Sequence, residues 1–271
     1  MAETFYSPPT ETDRKDRASW HIGRIFGIPT RIHFSFVLVL VWLGISYWTA
    51  DHSGAEVLIG LGLSLAVFAC VLLHEFGHAL VAKRFGIRTR RITLWPIGGV
   101  AELERSPDDP RAEMWIAAAG PLVNFAIAAL LAPLVFVFGT AGLLGNVLFS
   151  LLAANLMLGL FNLIPAFPMD GGRVVRAMLE RKRGRVRATE IAAKLGRWVA
   201  LAVGLWGLWN GQYLLMLVAA FVYFAARREL WQVQQLARLE QERMAGAQWT
   251  GGGLGPRPSA NPSRPVIVIQ R

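Results

Sequence analysis

His74 and His78 stand four residues apart, with Glu75 directly after the first. On a helix, side chains at i and i+4 leave from one face, so both imidazoles can reach a single metal ion. The carboxylate beside them is then placed to act as a general base. The chemistry open to such a set is metal-assisted hydrolysis, as in zinc peptidases. A catalytic zinc usually keeps three protein ligands and one open position, so a third ligand must come from elsewhere in the chain. Asp170 is the candidate, in a stretch that begins at Asn162 and Pro165 and ends Asp170-Gly171-Gly172-Arg173. The same aspartate would also serve as the N-cap of a short helix running on through Glu180. Cys70, one turn before His74, reads as a small buried residue rather than a ligand. His33 reads as an interfacial histidine. Gly120 and Pro121 read as a kink and close-packing point, with residues 119–124 mainly structural.

The motif sits in surroundings foreign to a water-soluble peptidase. Residues 56–81 form an apolar run long enough to cross a bilayer. Two histidines and a carboxylate are expensive there, and such groups usually mark function. The whole chain shares this character, with 54% apolar and only 17% charged residues among 271. Five further apolar segments are expected at 32–49, 114–137, 143–164, 191–209 and 213–226. The expected fold is therefore an all-α polytopic membrane protein of about six transmembrane helices with a small membrane-associated β-hairpin or sheet. Lysine and arginine fall before the first segment, in alternate loops, and after the last, and the three remaining loops contain none. The positive-inside rule then places both termini in the cytoplasm. The second and fourth segments both run inward, so His74, His78 and Asp170 come to similar depths.

The net charge of +10 is assigned to basic flanks facing anionic lipid, and nucleic acid is not an expected partner. With Cys70 the only cysteine, an intrachain disulfide is excluded. Residues 91–104 alternate apolar and polar, broken by Pro96 and the Gly98-Gly99 pair, which predicts a short hairpin. Four regions are expected: a polar cytoplasmic segment at 1–27, a transmembrane metalloprotease domain at 28–226, an amphipathic cytoplasmic helix at 227–246, and a mostly disordered tail at 247–271.

Three motifs together carry a family resemblance: His74-Glu75-x-x-His78, Ala119-Gly120-Pro121-x-x-Asn124, and Asn162-x-x-Pro165 followed by Asp170-Gly171. The chain resembles the site-2 protease family of intramembrane zinc metalloproteases, in a compact form without a PDZ or a cystathionine-β-synthase-type domain. The resemblance implies one zinc ion per chain on His74, His78 and Asp170, with Glu75 activating water. It implies that Asn162 helps hold the substrate or the developing oxyanion, although this asparagine would also suit a bond to a neighbouring helix. It further implies that the Gly98-Gly99 hairpin offers a strand edge to the substrate. The implied substrate is a membrane-spanning protein, with membrane-tethered transcription regulators the family's usual class. The preference for arginine over lysine suggests a GC-rich bacterial genome, and with it a bacterial cell membrane. Two other readings stand beside this one: a zinc transporter, and a non-catalytic relative that binds membrane helices.

Overall fold

The computed structural model describes residues 18–49, 53–96 and 98–250. Among these are seven helices and a small four-stranded sheet. The helices are α1 (Phe34–Thr49), α2 (Gly54–Arg84), α3 (Pro110–Phe138), α4 (Gly142–Leu163), α5 (Asp170–Arg183), α6 (Arg185–Trp209) and α7 (Tyr213–Thr250). Local chemistry fixes several of their ends. Ser53 and Glu56 form a reciprocal capping box at the start of α2, and Lys83 and Arg84 meet the negative end of its dipole. Asp109 accepts from the Arg111 backbone N–H at the start of α3, where Pro110 has no N–H to satisfy.

Helices α2, α3, α4 and α6 are long and apolar enough to cross a membrane. Their outward side chains stay uncovered, Leu130 and Phe136 among them. An apolar surface of this extent suits hydrocarbon rather than water. The other two expected segments are helical but depart from a simple span. Helix α1 has 16 residues, about 24 Å of helix against a hydrocarbon core of about 30 Å. Helix α7 does not end at its apolar stretch. It continues without a break through Arg227, so the amphipathic helix expected at 227–246 is continuous with the last apolar segment. Of the expected tail, residues 251–271 lie outside the described residues.

The strands are β1 (Ser19–Ile25), β2 (Ile28–His33), β3 (Thr89–Trp95) and β4 (Gly98–Leu103), in spatial order β1-β2-β3-β4. The expected hairpin is β3 with β4, pairing Leu94 with Gly99. The sequence reading did not anticipate β1 and β2, which form a second hairpin and join β3 in parallel through Thr30 and Ile92. They escaped notice because β2 is six residues long and runs straight into α1. The sheet rests on the half of α2 that carries the histidines: Ile28 and Ile92 pack with Phe76 and Ala79. A second cluster joins Ala82 of α2, Ile87, Leu103 of β4 and Ile116 of α3. Through these two clusters the sheet packs on α2 and, by way of Leu103, on α3.

Candidate metal centre

Helix α2 buries His74, Glu75 and His78 together. The Nε2 atoms of the two imidazoles are 3.1 Å apart, and each lies 3.3 Å from Asp170 Oδ2. Asp170 is fully buried at the first position of α5. The cap position before it belongs to Met169, which makes no side-chain cap bond, so the aspartate is turned toward the histidines instead of capping. The stretch that sequence reasoning nominated thus meets the motif on α2 across the molecule. Among the described residues, these three are the group of potential ligands gathered closely enough to hold one ion.

The donor set fits zinc on its own chemistry. His78 Nδ1 lies 2.6 Å from the Ile116 carbonyl oxygen, which can only accept, so the ring proton is on Nδ1. His74 Nδ1 lies 2.5 Å from Asn124 Oδ1, another acceptor. Both Nε2 atoms then present lone pairs, and they converge on a carboxylate oxygen. Three electron-rich atoms packed so closely are stable around a cation. Ligand edges in a tetrahedral site with bonds of about 2.05 Å are about 3.3 Å long, which these separations match. Gly120 makes the space. A Cβ there would lie 2.5 Å from His78 Cε1 and 2.6 Å from His74 Nε2, nearer still to His78 Nε2.

One face of α3 holds all of these parts in place. Glu113, Ile116, Gly120 and Asn124 fall within roughly a quarter of the helix circumference. Ile116 and Asn124 orient the two imidazoles. Glu113 accepts from Arg176 of α5, two turns beyond Asp170, through Nε at 3.0 Å and through Nη2. Arg176 also donates to Glu229 of α7 at 2.9 Å and lies over the Phe167 ring. Burial works against the Arg176 charge, but Glu113 and then Glu229 outweigh it and hold the guanidinium above its ordinary value.

Glu75 lies against β4. A Cβ on Gly99 would be 3.0 Å from its Cδ and 3.2 Å from Oε1, closer still to Cγ. The Gly99 backbone is therefore in direct contact with the candidate base, and Gly98 pairs with Trp95 at the start of the same strand. Asn162, near the end of α4, donates its amide to the Leu158 carbonyl at 3.0 Å. Cys70 is buried and 3.3 Å from Asn155 Nδ2, as a small packed residue would be. His33 stacks on Trp95, with ring centroids 3.8 Å apart.

Sequence reasoning missed the parts that work at one remove from the ligands. The sequence alone places Asn124 among packing residues and gives no prominence to Asn155, Glu113 or Arg176. A signal existed for the two asparagines, since each is a polar side chain in the middle of an apolar helix.

Residues 62–144 and 139–203 match the family model described as Peptidase family M50. The chain belongs to that family. It is 44% identical over 213 residues to Zinc metalloprotease MJ0392 of Methanocaldococcus jannaschii, covering 78% of this chain and 60% of the relative. The chain thus spans about 60% of the length of that curated relative. Among solved structures it resembles the Site-2 Protease from Methanocaldococcus jannaschii, with 40% identity and a TM-score of 0.59, covering 78% of this chain and 95% of that one. The resemblance read from the three motifs is thereby established. Four membrane-length apolar helices together with family membership make this an integral membrane protein.

Proposed function

We propose that this protein is a zinc-dependent intramembrane endopeptidase that cuts membrane-anchored proteins in or near their transmembrane segments. The observation that carries the proposal is the convergence of His74 Nε2, His78 Nε2 and Asp170 Oδ2, with Glu75 buried on the same helix under the β4 backbone. His74, His78 and Asp170 would hold one zinc ion. When bound, zinc supplies a Lewis acid for the scissile carbonyl and lowers the pKa of water toward ~7.

The remaining steps belong to the protein. Glu75 takes a proton from the attacking water on a carboxylate oxygen, then gives it to the departing amine nitrogen as the C–N bond breaks. A helix hides its carbonyls in internal hydrogen bonds, so a substrate helix must be unwound before it can be cut. Strand β4 suits the task of holding it. It lies at one end of the sheet order and passes directly over Glu75. An extended peptide added along this edge would bring its carbonyls to the base, and glycine at 98 and 99 lets the two backbones approach. Asn162, near the end of α4, is assigned to substrate contact.

The proposed protease domain, residues 28–226, gains β1 as part of its sheet. Both termini are assigned to the cytoplasm and the membrane to a bacterial cell, with membrane-tethered transcription regulators as the substrate class. The deciding experiment uses purified protein in lipid vesicles with a model membrane-anchored substrate, with and without a zinc chelator. Cleavage should stop on chelation and return with zinc. Glu75→Gln should be inactive yet retain zinc, because the carboxylate acts on water and is not a ligand. Normal turnover by that variant sinks the catalytic assignment.

A further inference from the structure

Two asparagines, Asn124 in the interior of α3 and Asn155 in the interior of α4, are fully buried. Their hydrogen bonds run in series across three helices. Asn155 Nδ2 lies 2.9 Å from the Leu151 carbonyl oxygen and 3.3 Å from Cys70 Sγ. Asn155 Oδ1 lies 3.0 Å from Asn124 Nδ2, and Asn124 Oδ1 lies 2.5 Å from His74 Nδ1.

We propose that Asn155 is a positioning residue that fixes the metal-binding tautomer of His74. The chain of reasoning begins at a group with no choice. A backbone carbonyl can only accept, so the amide end of Asn155 that faces Leu151 is the NH2. Its oxygen must then face Asn124, and Asn124 must answer with its own NH2. That leaves the Asn124 oxygen toward His74, whose Nδ1 must carry the ring proton. Nε2 is left with its lone pair, aimed at His78 and Asp170. Reverse either amide and the last link reverses as well: Asn124 would donate to Nδ1, the proton would move to Nε2, and His74 could not ligate.

Asn124 alone cannot enforce this, because an amide presents a donor and an acceptor of nearly the same shape. It needs a neighbour whose polarity is already decided. His78 needs no relay, because its Nδ1 meets a backbone carbonyl directly. The difference between the two ligands explains why two more polar groups are kept in an apolar region, where each would be costly if unpaired. The proposal rests on His74 being a ligand through Nε2.

The test uses full-length protein with ¹⁵N-labelled histidine in lipid bilayers, first without metal. Histidine ¹⁵N shifts report which ring nitrogen is protonated, and a His74→Asn variant assigns the His74 signals. Wild type should show His74 protonated at Nδ1. Finding it protonated at Nε2 in wild type overturns the proposal without any substitution at Asn155. Asn155→Leu should introduce the Nε2–H form and weaken zinc binding, measured by chelator competition, by about tenfold or more, as loss of an outer partner does elsewhere. In the double variant Asn124→Asp with Asn155→Leu, a carboxylate that only accepts should restore Nδ1–H and recover most of that affinity. If Asn155→Leu keeps wild-type affinity, or if affinity falls with no change of tautomer, Asn155 acts by packing and the proposal is wrong. Protein that shows the expected tautomers but binds no zinc would overturn the metal centre and leave the relay standing.

Discussion

Replacing Gly120 by alanine adds one carbon to α3 and should remove the metal while leaving the fold. The new Cβ would lie 2.6 Å from His74 Nε2, whereas ordinary contact begins near 3.4 Å, so the imidazole must retreat by about 0.8 Å. His78 is closer and must move further. Protein–metal distances tolerate about 0.2 Å, so both nitrogens would leave the productive range at once. Two opposed terms act on folding. Alanine for glycine within a helix favours α3 by about 1 kcal/mol, and overpacking costs about 1–3 kcal/mol. The balance is a small loss, too little to unfold the protein. Zinc affinity has no such compensation and should fall at least ~100-fold, about 2.8 kcal/mol. Chelator competition gives the affinity, and thermal unfolding of the metal-free protein gives the stability. Zinc held at wild-type affinity by Gly120→Ala would mean that the imidazoles do not bind where their Nε2 atoms now meet.

Three further outcomes are expected. Asp170→Ala should lower both zinc content and cleavage, and full zinc occupancy in that variant would remove the aspartate from the ligand set. Gly99→Ala should displace Glu75 and so cut kcat by tenfold or more with zinc retained; a change in KM alone would place Gly99 in substrate binding only. Reporter fusions or cysteine labelling should find Gly139 and Asn210 outside and both termini in the cytoplasm, and the opposite labelling pattern would overturn that orientation.

What could be read from the sequence was whatever depends on spacing along one element. His74 and His78 declare themselves because i and i+4 share a helix face, and Glu75 comes with them. Asp170 could be nominated because zinc needs a third ligand and because segment directions matched its depth to theirs. The hairpin of β3 and β4 was visible in its alternation and glycines. The partners that orient the ligands were not, because they meet from different helices. Nothing in the spacing of Asn124 and Asn155 says that their amides touch, nor that Glu113 would meet Arg176 some sixty residues on. The β1–β2 hairpin was missed for a similar reason: its place is settled by parallel pairing of Thr30 with Ile92, a long-range contact. Helix α7 was divided in the reading because its composition changes at Arg227, but the backbone bonding simply continues.

The single face of α3 that holds Glu113, the Ile116 carbonyl, Gly120 and Asn124 bears on how lipid can influence the protein. A bilayer thinner or thicker than the protein's apolar belt is accommodated mainly by helix tilt. Here both imidazoles and the aspartate-bearing helix are hydrogen-bonded to one face of α3, so a tilt that α2, α3 and α5 share carries the three ligand atoms along together. Lipid thickness should then leave metal retention unchanged and alter only how a substrate's backbone meets the site from outside. A lipid that slows such a protein does so with its zinc in place, and restoring the original thickness should restore the rate without adding metal.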